Sequence, residues 1–93
     1  MVTVFDAQNV FEIENALGLH ARAAAQFVSL AAKFESEIYV EKDGYEVNGK
    51  SIMGVMTLAA PQGAQLIVKA VGGDAESAVE KLGELIKNKF GED

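Results

Sequence analysis

The feature that most constrains the fold is a two-residue turn near the middle of the chain. Asp43-Gly44 separates two runs, Glu37–Lys42 and Tyr45–Asn48, in which apolar and polar residues alternate. Alternation with a period of two is typical of strands with one buried face, and Asp-Gly is a strong signal for a tight hairpin turn. The sequence therefore predicts an antiparallel hairpin in which Val40 lies opposite Val47.

Two further runs predict strands, and three predict helices. Residues 10–14 alternate, with Phe11 and Ile13 facing inward, and residues 64–71 form a β-rich run. Apolar residues at three- and four-residue spacing predict helices over residues 21–34, over residues 51–58, and from about residue 74 to a stop at Gly91. The element order is then β-α-β-β-α-β-α. This order predicts an α+β fold, an open-faced β-sandwich in which a four-stranded antiparallel sheet carries the helices on one side.

Composition limits the classes of function. The 93 residues suffice for a single domain, with residues 1–7 as a short N-terminal extension. The chain has no cysteine and one histidine, so we expect no metal site and no cofactor. It lacks a membrane-spanning run and a signal peptide, which predicts a cytoplasmic protein without stable membrane association. The net charge of −6 argues against binding to nucleic acid.

The acidic residues are distributed unevenly. The stretch between Asn15 and Phe34 contains no Asp or Glu, and neither does the stretch between Val47 and Gly73. One explanation is that buried helices and strands avoid charge in any case. The other is that both stretches contribute to one surface that meets an anion or an acidic partner.

His20, the only histidine, comes immediately before the predicted helix 21–34. The first turn of a helix has free N–H groups and a positive dipole end, both of which favour a bound anion. Arg22 adds a permanent cation that can make charge-assisted hydrogen bonds, and small side chains at Ala21 and Ala23 to Ala25 would leave the ring accessible. This arrangement suits an imidazole that accepts and holds a phosphoryl group. By pattern alone, a merely exposed or capping histidine remains an alternative.

Two segments in register resemble a known family. The first is Gly18-Leu19-His20-Ala21-Arg22 with residues 24–28 after it, and the second is residues 50–58, Lys-Ser-Ile-Met-Gly-Val-Met-Thr-Leu. The first resembles the active-site segment of the HPr family, the histidine-containing phosphocarriers of the bacterial phosphoenolpyruvate-dependent sugar phosphotransferase system. The second is similar to the segment around that family's regulatory serine, here Ser51.

The resemblance implies a role for each of these residues. His20 would accept phosphate on Nδ1 from phosphorylated Enzyme I and pass it to an Enzyme IIA domain for sugar uptake, with Arg22 steadying the phosphoryl group. The chain would be a stoichiometric carrier and not an enzyme. Ser51 would be phosphorylated by HPr kinase/phosphorylase, and the phosphorylated protein would bind a carbon-control regulator. The implied partner-binding residues are Ala21, Ala25, Ile52, Met53 and Met56.

The sequence departs from the family pattern at one position and leaves several questions open. Ala23 stands where the family usually has proline, which would hold the start of the helix and the loop before His20 more rigidly. Val55 and Met56 could belong to the core instead of the partner surface. We expect a monomer. The alternative functions are a regulatory HPr paralogue that reports nitrogen or carbon status, or a small α/β interaction module that never carries phosphate.

Overall fold

The computed structural model describes residues 5–92, which form four strands and three α-helices in the predicted order. The strands are β1 (Ala7–Glu12), β2 (Glu37–Lys42), β3 (Tyr45–Asn48) and β4 (Gln65–Val71). The helices are α1 (Ala21–Ala31), α2 (Ile52–Thr57) and α3 (Ala75–Lys87), with a short 3-10 turn at Lys89–Gly91. The predicted element order and fold class are therefore confirmed.

The sheet is antiparallel throughout, with strand order β1-β4-β2-β3. Asp43 and Gly44 both have positive φ, 52° and 84°, as the tight hairpin turn requires, and Val40 pairs with Val47 as predicted. β4 lies between β1 and β2, and its alternate residues Leu66, Val68 and Ala70 are buried. One face of the central strand β4 is thus covered.

The three helices cover that face. α3 packs against β1 and β4, α1 contacts both α2 and α3, and α2 also contacts β3. Gly83 allows α3 to approach β1 closely, because a Cβ at this position would lie 2.2 Å from the ring of Phe11. The largest fully buried side chains include Phe27, Ile13, Ile38, Leu66 and Leu82. Within residues 5–92, none of the helices combines the length and the apolar character needed to cross a bilayer.

Several predicted boundaries were wrong. β1 spans Ala7–Glu12 instead of residues 10–14, because pairing with β4 extends it as far as Ala7 opposite Ala70. α1 ends at Ala31, and the N–H of Phe34 donates to the carbonyl of Ala31 in a tightened final turn. α3 ends at Lys87, so the buried Phe90 packs from outside the helix.

The predicted N-terminal extension, residues 1–7, lies partly outside the described residues. Ala7 belongs to β1, and the carboxylate of Asp6 accepts a hydrogen bond of 2.8 Å from the N–H of Gly72. Residues 6 and 7 are therefore tied to the sheet.

Candidate functional site

His20 is the N-cap residue of α1, as the sequence predicts. Its backbone is extended, with φ −75° and ψ 178°, and its carbonyl oxygen accepts the first intrahelical hydrogen bond, 2.8 Å from the N–H of Ala24. Its ring makes no capping hydrogen bond, so the imidazole remains available for other chemistry.

The first turn of α1 offers donors beside this ring. Among residues 5–92, no group accepts a hydrogen bond from the N–H of Ala21, Arg22 or Ala23. The Arg22 side chain is exposed and makes no ion pair within the same range. A phosphoryl group on the ring would therefore find backbone donors, the positive end of the helix dipole and a guanidinium nearby.

The other side of the imidazole is occupied by Glu92, which follows the 3-10 turn after α3. Nε2 of His20 is hydrogen-bonded to Oε2 of Glu92, 72 positions later in the sequence. The side chains of His20 and Glu92 are 26% and 15% exposed. Nδ1 has no hydrogen-bond partner among the described residues, so it is the ring nitrogen open to an electrophile.

Asn15 completes this cluster. It is fully buried, and its Nδ2 donates both to Oε1 of Glu92, over 2.9 Å, and to the carbonyl of Gly18, over 2.8 Å. The hydrogen bond from Asn15, followed by that from His20, lowers the pKa of the Glu92 carboxyl below its ordinary value. Sequence reasoning missed Asn15 and Glu92, because no local pattern indicates contacts between residues 72 or 77 positions apart.

The loop before His20 is held by the segment that follows α2. The N–H of Leu19 donates to the carbonyl of Ala60 over 2.8 Å, and Gly18 has φ +66°. Ala23, at the position where the resemblance leads us to expect proline, is fully buried in the first turn of a regular helix. The loop therefore has tertiary anchors that do not depend on a proline.

The alanines around His20 do not all lie on the surface. Ala21 is exposed and Ala25 half-buried, whereas Ala23 and Ala24 are completely buried. The expectation that Ala23 and Ala24 help to expose the ring was wrong. They lie on the same buried face of α1 as Phe27 and therefore belong to the core.

Helix α2 carries an exposed apolar patch. Ile52, Met53 and Met56 are 40%, 73% and 41% exposed, whereas Val55 is fully buried. The alternative that places Val55 in the core is thus correct, and the same alternative for Met56 is wrong. Ser51 caps this helix, since its Oγ accepts a hydrogen bond of 3.1 Å from the N–H of Gly54.

Helices α1 and α2 run in opposite directions. The Lys50 ammonium, just before α2, donates to the carbonyl of Phe34, just after α1, over 2.7 Å. At the other end, the hydrogen bond from Leu19 to Ala60 joins the start of α1 to the segment after α2. Ser51 and His20 therefore lie at opposite ends of the helix pair, and α1 alone is about 16 Å long.

A shallow groove of about 430 Å³ follows the outer side of α1. Its charged lining residues are Arg22 and Lys33, and its apolar wall includes Leu30 together with Leu85 of α3. The acid-free stretch between Asn15 and Phe34 thus contributes both to the buried core and to a basic surface that continues from the first turn of α1.

Comparisons with known proteins agree with this geometry. The family model for the PTS HPr component phosphorylation site matches residues 7–88. The phosphocarrier protein HPr of Xylella fastidiosa is 49% identical over 81 residues, covering 87% of this chain and 91% of that protein. The crystal structure of HPr from Thermoanaerobacter tengcongensis has a TM-score of 0.90 at 50% identity and covers 94% of this chain and 98% of that chain.

A regulatory relative is similar over nearly the same length. The crystal structure of Crh, a catabolite repression protein of Bacillus subtilis that forms a domain-swapped dimer, has a TM-score of 0.72 at 40% identity. It covers 96% of this chain and 97% of that chain. The matched residues of the family model include both His20 and Ser51.

Proposed function

This chain belongs to the HPr family of phosphocarrier proteins, and we propose that its His20 accepts a phosphoryl group on Nδ1 from phosphorylated Enzyme I. The phosphoryl group then passes to an Enzyme IIA domain, in support of sugar uptake. The observation that carries this proposal is the position of His20 as N-cap of α1, with its Nδ1 unpartnered among residues 5–92.

The start of α1 suits the product of the transfer. A phosphoryl group on Nδ1 carries negative charge, which the dipole and the free N–H groups at the start of α1 stabilise. Arg22 adds a guanidinium that can make charge-assisted hydrogen bonds to the phosphoryl oxygens. The domain thus supplies a stable but transferable phosphohistidine, while the partner enzymes supply the catalysis.

We propose that partners dock on the surface formed by Ala21, Ala25 and the exposed patch of α2. Methionine adapts its shape to different surfaces, so Met53 and Met56 suit a carrier that binds donor and acceptor in turn. The two stretches that supply this surface, residues 15–34 and 47–73, contain no Asp or Glu, which favours acidic partner surfaces. We further propose that the protein acts in the cytoplasm as a monomer, since one exposed face then serves successive partners.

Ser51 is proposed as a regulatory site for HPr kinase/phosphorylase, through which a carbon-control regulator is engaged. Its hydroxyl already lies at the start of α2, where a phosphate would be tolerated electrostatically. A dianion there would place negative charge inside the partner surface and oppose the docking of acidic partners. Its position at the far end of the helix pair from His20 supports an effect on docking and not on the ring itself.

The decisive experiment is transfer from Enzyme I with phosphoenolpyruvate as the source. We expect the protein to gain one phosphate that is labile in acid and stable in alkali, and His20→Ala to gain none. Labelling of the His20→Ala variant would contradict the assignment.

The similarity to Crh supports a second candidate, a regulatory paralogue that reports carbon status. Comparing transfer to sugar-specific and nitrogen-type Enzyme IIA domains separates the candidates. Rapid transfer to a sugar-specific domain supports a role in sugar uptake. If Enzyme I labels the protein but the phosphoryl group does not pass to a sugar-specific domain, the regulatory role is supported.

A further inference from the structure

The chain turns back on itself after α3 and brings Glu92 to His20. Lys89 and Phe90 have positive φ, 58° and 54°, which non-glycine residues seldom adopt. Phe90 is 2% exposed, and the N–H of Glu92 donates to the carbonyl of Lys89 over 2.9 Å. Burial of Phe90 thus offsets the backbone strain and orients the next residues so that Glu92 faces the start of α1.

The Glu92 carboxylate is held from two sides. One oxygen accepts from the buried Asn15 amide and the other contacts Nε2 of His20. The Asn15 Oδ1 is buried and has no hydrogen-bond partner within the described part of the chain. Rotating the amide would turn this oxygen towards Glu92 and the Gly18 carbonyl, two acceptors, so the observed orientation is the one that supports the carboxylate.

A carboxylate can only accept hydrogen bonds, so its contact with Nε2 places the proton of the neutral ring on that nitrogen. The lone pair is then on Nδ1. We propose that Glu92, supported by Asn15, is a positioning residue that assigns Nδ1 as the phosphoryl acceptor by occupying the Nε2 side of His20 and keeping the ring proton there. This inference rests on the proposed phosphoryl acceptance by His20.

The same contact assists the transfer step. The Nδ1 lone pair attacks the phosphorus of the donor, the N–P bond forms, and the bond from phosphorus to the donor breaks with its electron pair leaving on the donor. The ring then carries phosphorus on Nδ1 and hydrogen on Nε2, which gives it a formal positive charge. The Glu92 carboxylate balances this charge, and the lone pair returns to Nδ1 when an acceptor takes the phosphoryl group.

The test uses potassium phosphoramidate, a small donor that needs no partner enzyme and releases ammonia as its phosphoryl group is transferred. Full-length wild-type protein and the Glu92→Ala, Glu92→Gln and Glu80→Ala variants are treated alike, and NMR distinguishes phosphate on Nδ1 from phosphate on Nε2. Glu80 is exposed on α3 and serves as the control for loss of one surface carboxylate.

We expect only the Nδ1 product in the wild type and in Glu80→Ala. In Glu92→Ala the Nε2 product should appear. In Glu92→Gln one amide oxygen remains for two donors, the Asn15 amide and Nε2, so the preference for the Nδ1 product should weaken. Circular dichroism verifies the fold of each variant. An unchanged Nδ1 product in a folded Glu92→Ala variant would overturn the inference.

Parallel reactions with Enzyme I and phosphoenolpyruvate separate this inference from the proposed function. If phosphoramidate labels the wild-type protein on Nδ1 but Enzyme I does not label it, the carrier role alone is refuted. The appearance of the Nε2 product in Glu92→Ala would still support the positioning role.

Discussion

The N–H of Leu19 donates to the carbonyl oxygen of Ala60 over 2.8 Å, and this hydrogen bond ties the loop before His20 to the segment between α2 and β4. The contact is possible because the preceding residue, Gly18, has no side chain. A Cβ on Gly18 would lie 2.5 Å from the Ala60 oxygen. The position of the proposed phosphorylation site thus depends on a close approach of two backbone segments.

The Gly18→Ala variant should be less stable by about 2 kcal/mol or more, because it combines a positive φ with a steric clash. It should also displace the His20 loop and slow phosphoryl transfer. Gly63→Ala is the matched control, since Gly63 also has positive φ, +91°, but a Cβ there would meet no atom within 4 Å. Denaturant titrations and transfer rates measure both effects, and equal losses in the two variants would contradict the importance of the close approach.

The Gly83→Ala variant tests the packing of α3 on β1. Alanine favours a helix more than glycine does, but here its methyl group would collide with the Phe11 ring at 2.2 Å. We expect a net loss of about 1–3 kcal/mol in the free energy of unfolding, with His20 phosphorylation retained below the unfolding transition. Gly73→Ala, where the new methyl group meets no atom within 4 Å, should change the stability far less. A Gly83→Ala protein as stable as the wild type would show that the ring moves aside without cost.

A negative charge at Ser51 should weaken transfer from Enzyme I. Asp and Asn are both good N-cap residues, so Ser51→Asp and Ser51→Asn should keep α2 intact, while Ser51→Ala loses about 1 kcal/mol through its missing cap. We expect a marked fall in the transfer rate for Ser51→Asp only. Steady-state phosphorylation by Enzyme I measures this, and equal rates for Ser51→Asp and Ser51→Asn would rule out an effect of charge.

Asp74 should make the stability depend on pH in the acid range. A hydrogen bond from the Ser36 hydroxyl, followed by one from the N–H of Glu35, lowers the pKa of the Asp74 carboxyl. Because the folded pKa lies below the unfolded one, the contribution is complete above the unfolded value and disappears as the pH falls through the folded value. Asp74→Asn should therefore be less stable than wild type at neutral pH, with the difference shrinking in acid. A difference that stays constant between neutral pH and strong acid, measured by denaturant unfolding, would contradict this.

Local signals determined most of the architecture. Asp43-Gly44 specified the hairpin and the pairing of Val40 with Val47, because a tight turn fixes the register of its strands. The apolar spacing placed His20 at the start of a helix, and the motif around Ser51 placed a cap there. These features depend on residues close together in the chain, so the sequence alone contains enough information to predict them.

Tertiary structure decided what surrounds His20. Ala23 and Ala24 are core residues because they lie on the face of α1 that packs inward. Helix α3 ends before Phe90 because burial of the Phe90 ring outside the helix offsets the positive φ angles of Lys89 and Phe90. The contact of Glu92 with His20 and Asn15 joins residues more than 70 positions apart. Local propensity cannot specify such a contact, because its geometry exists only once the segment after α3 has packed against the start of α1.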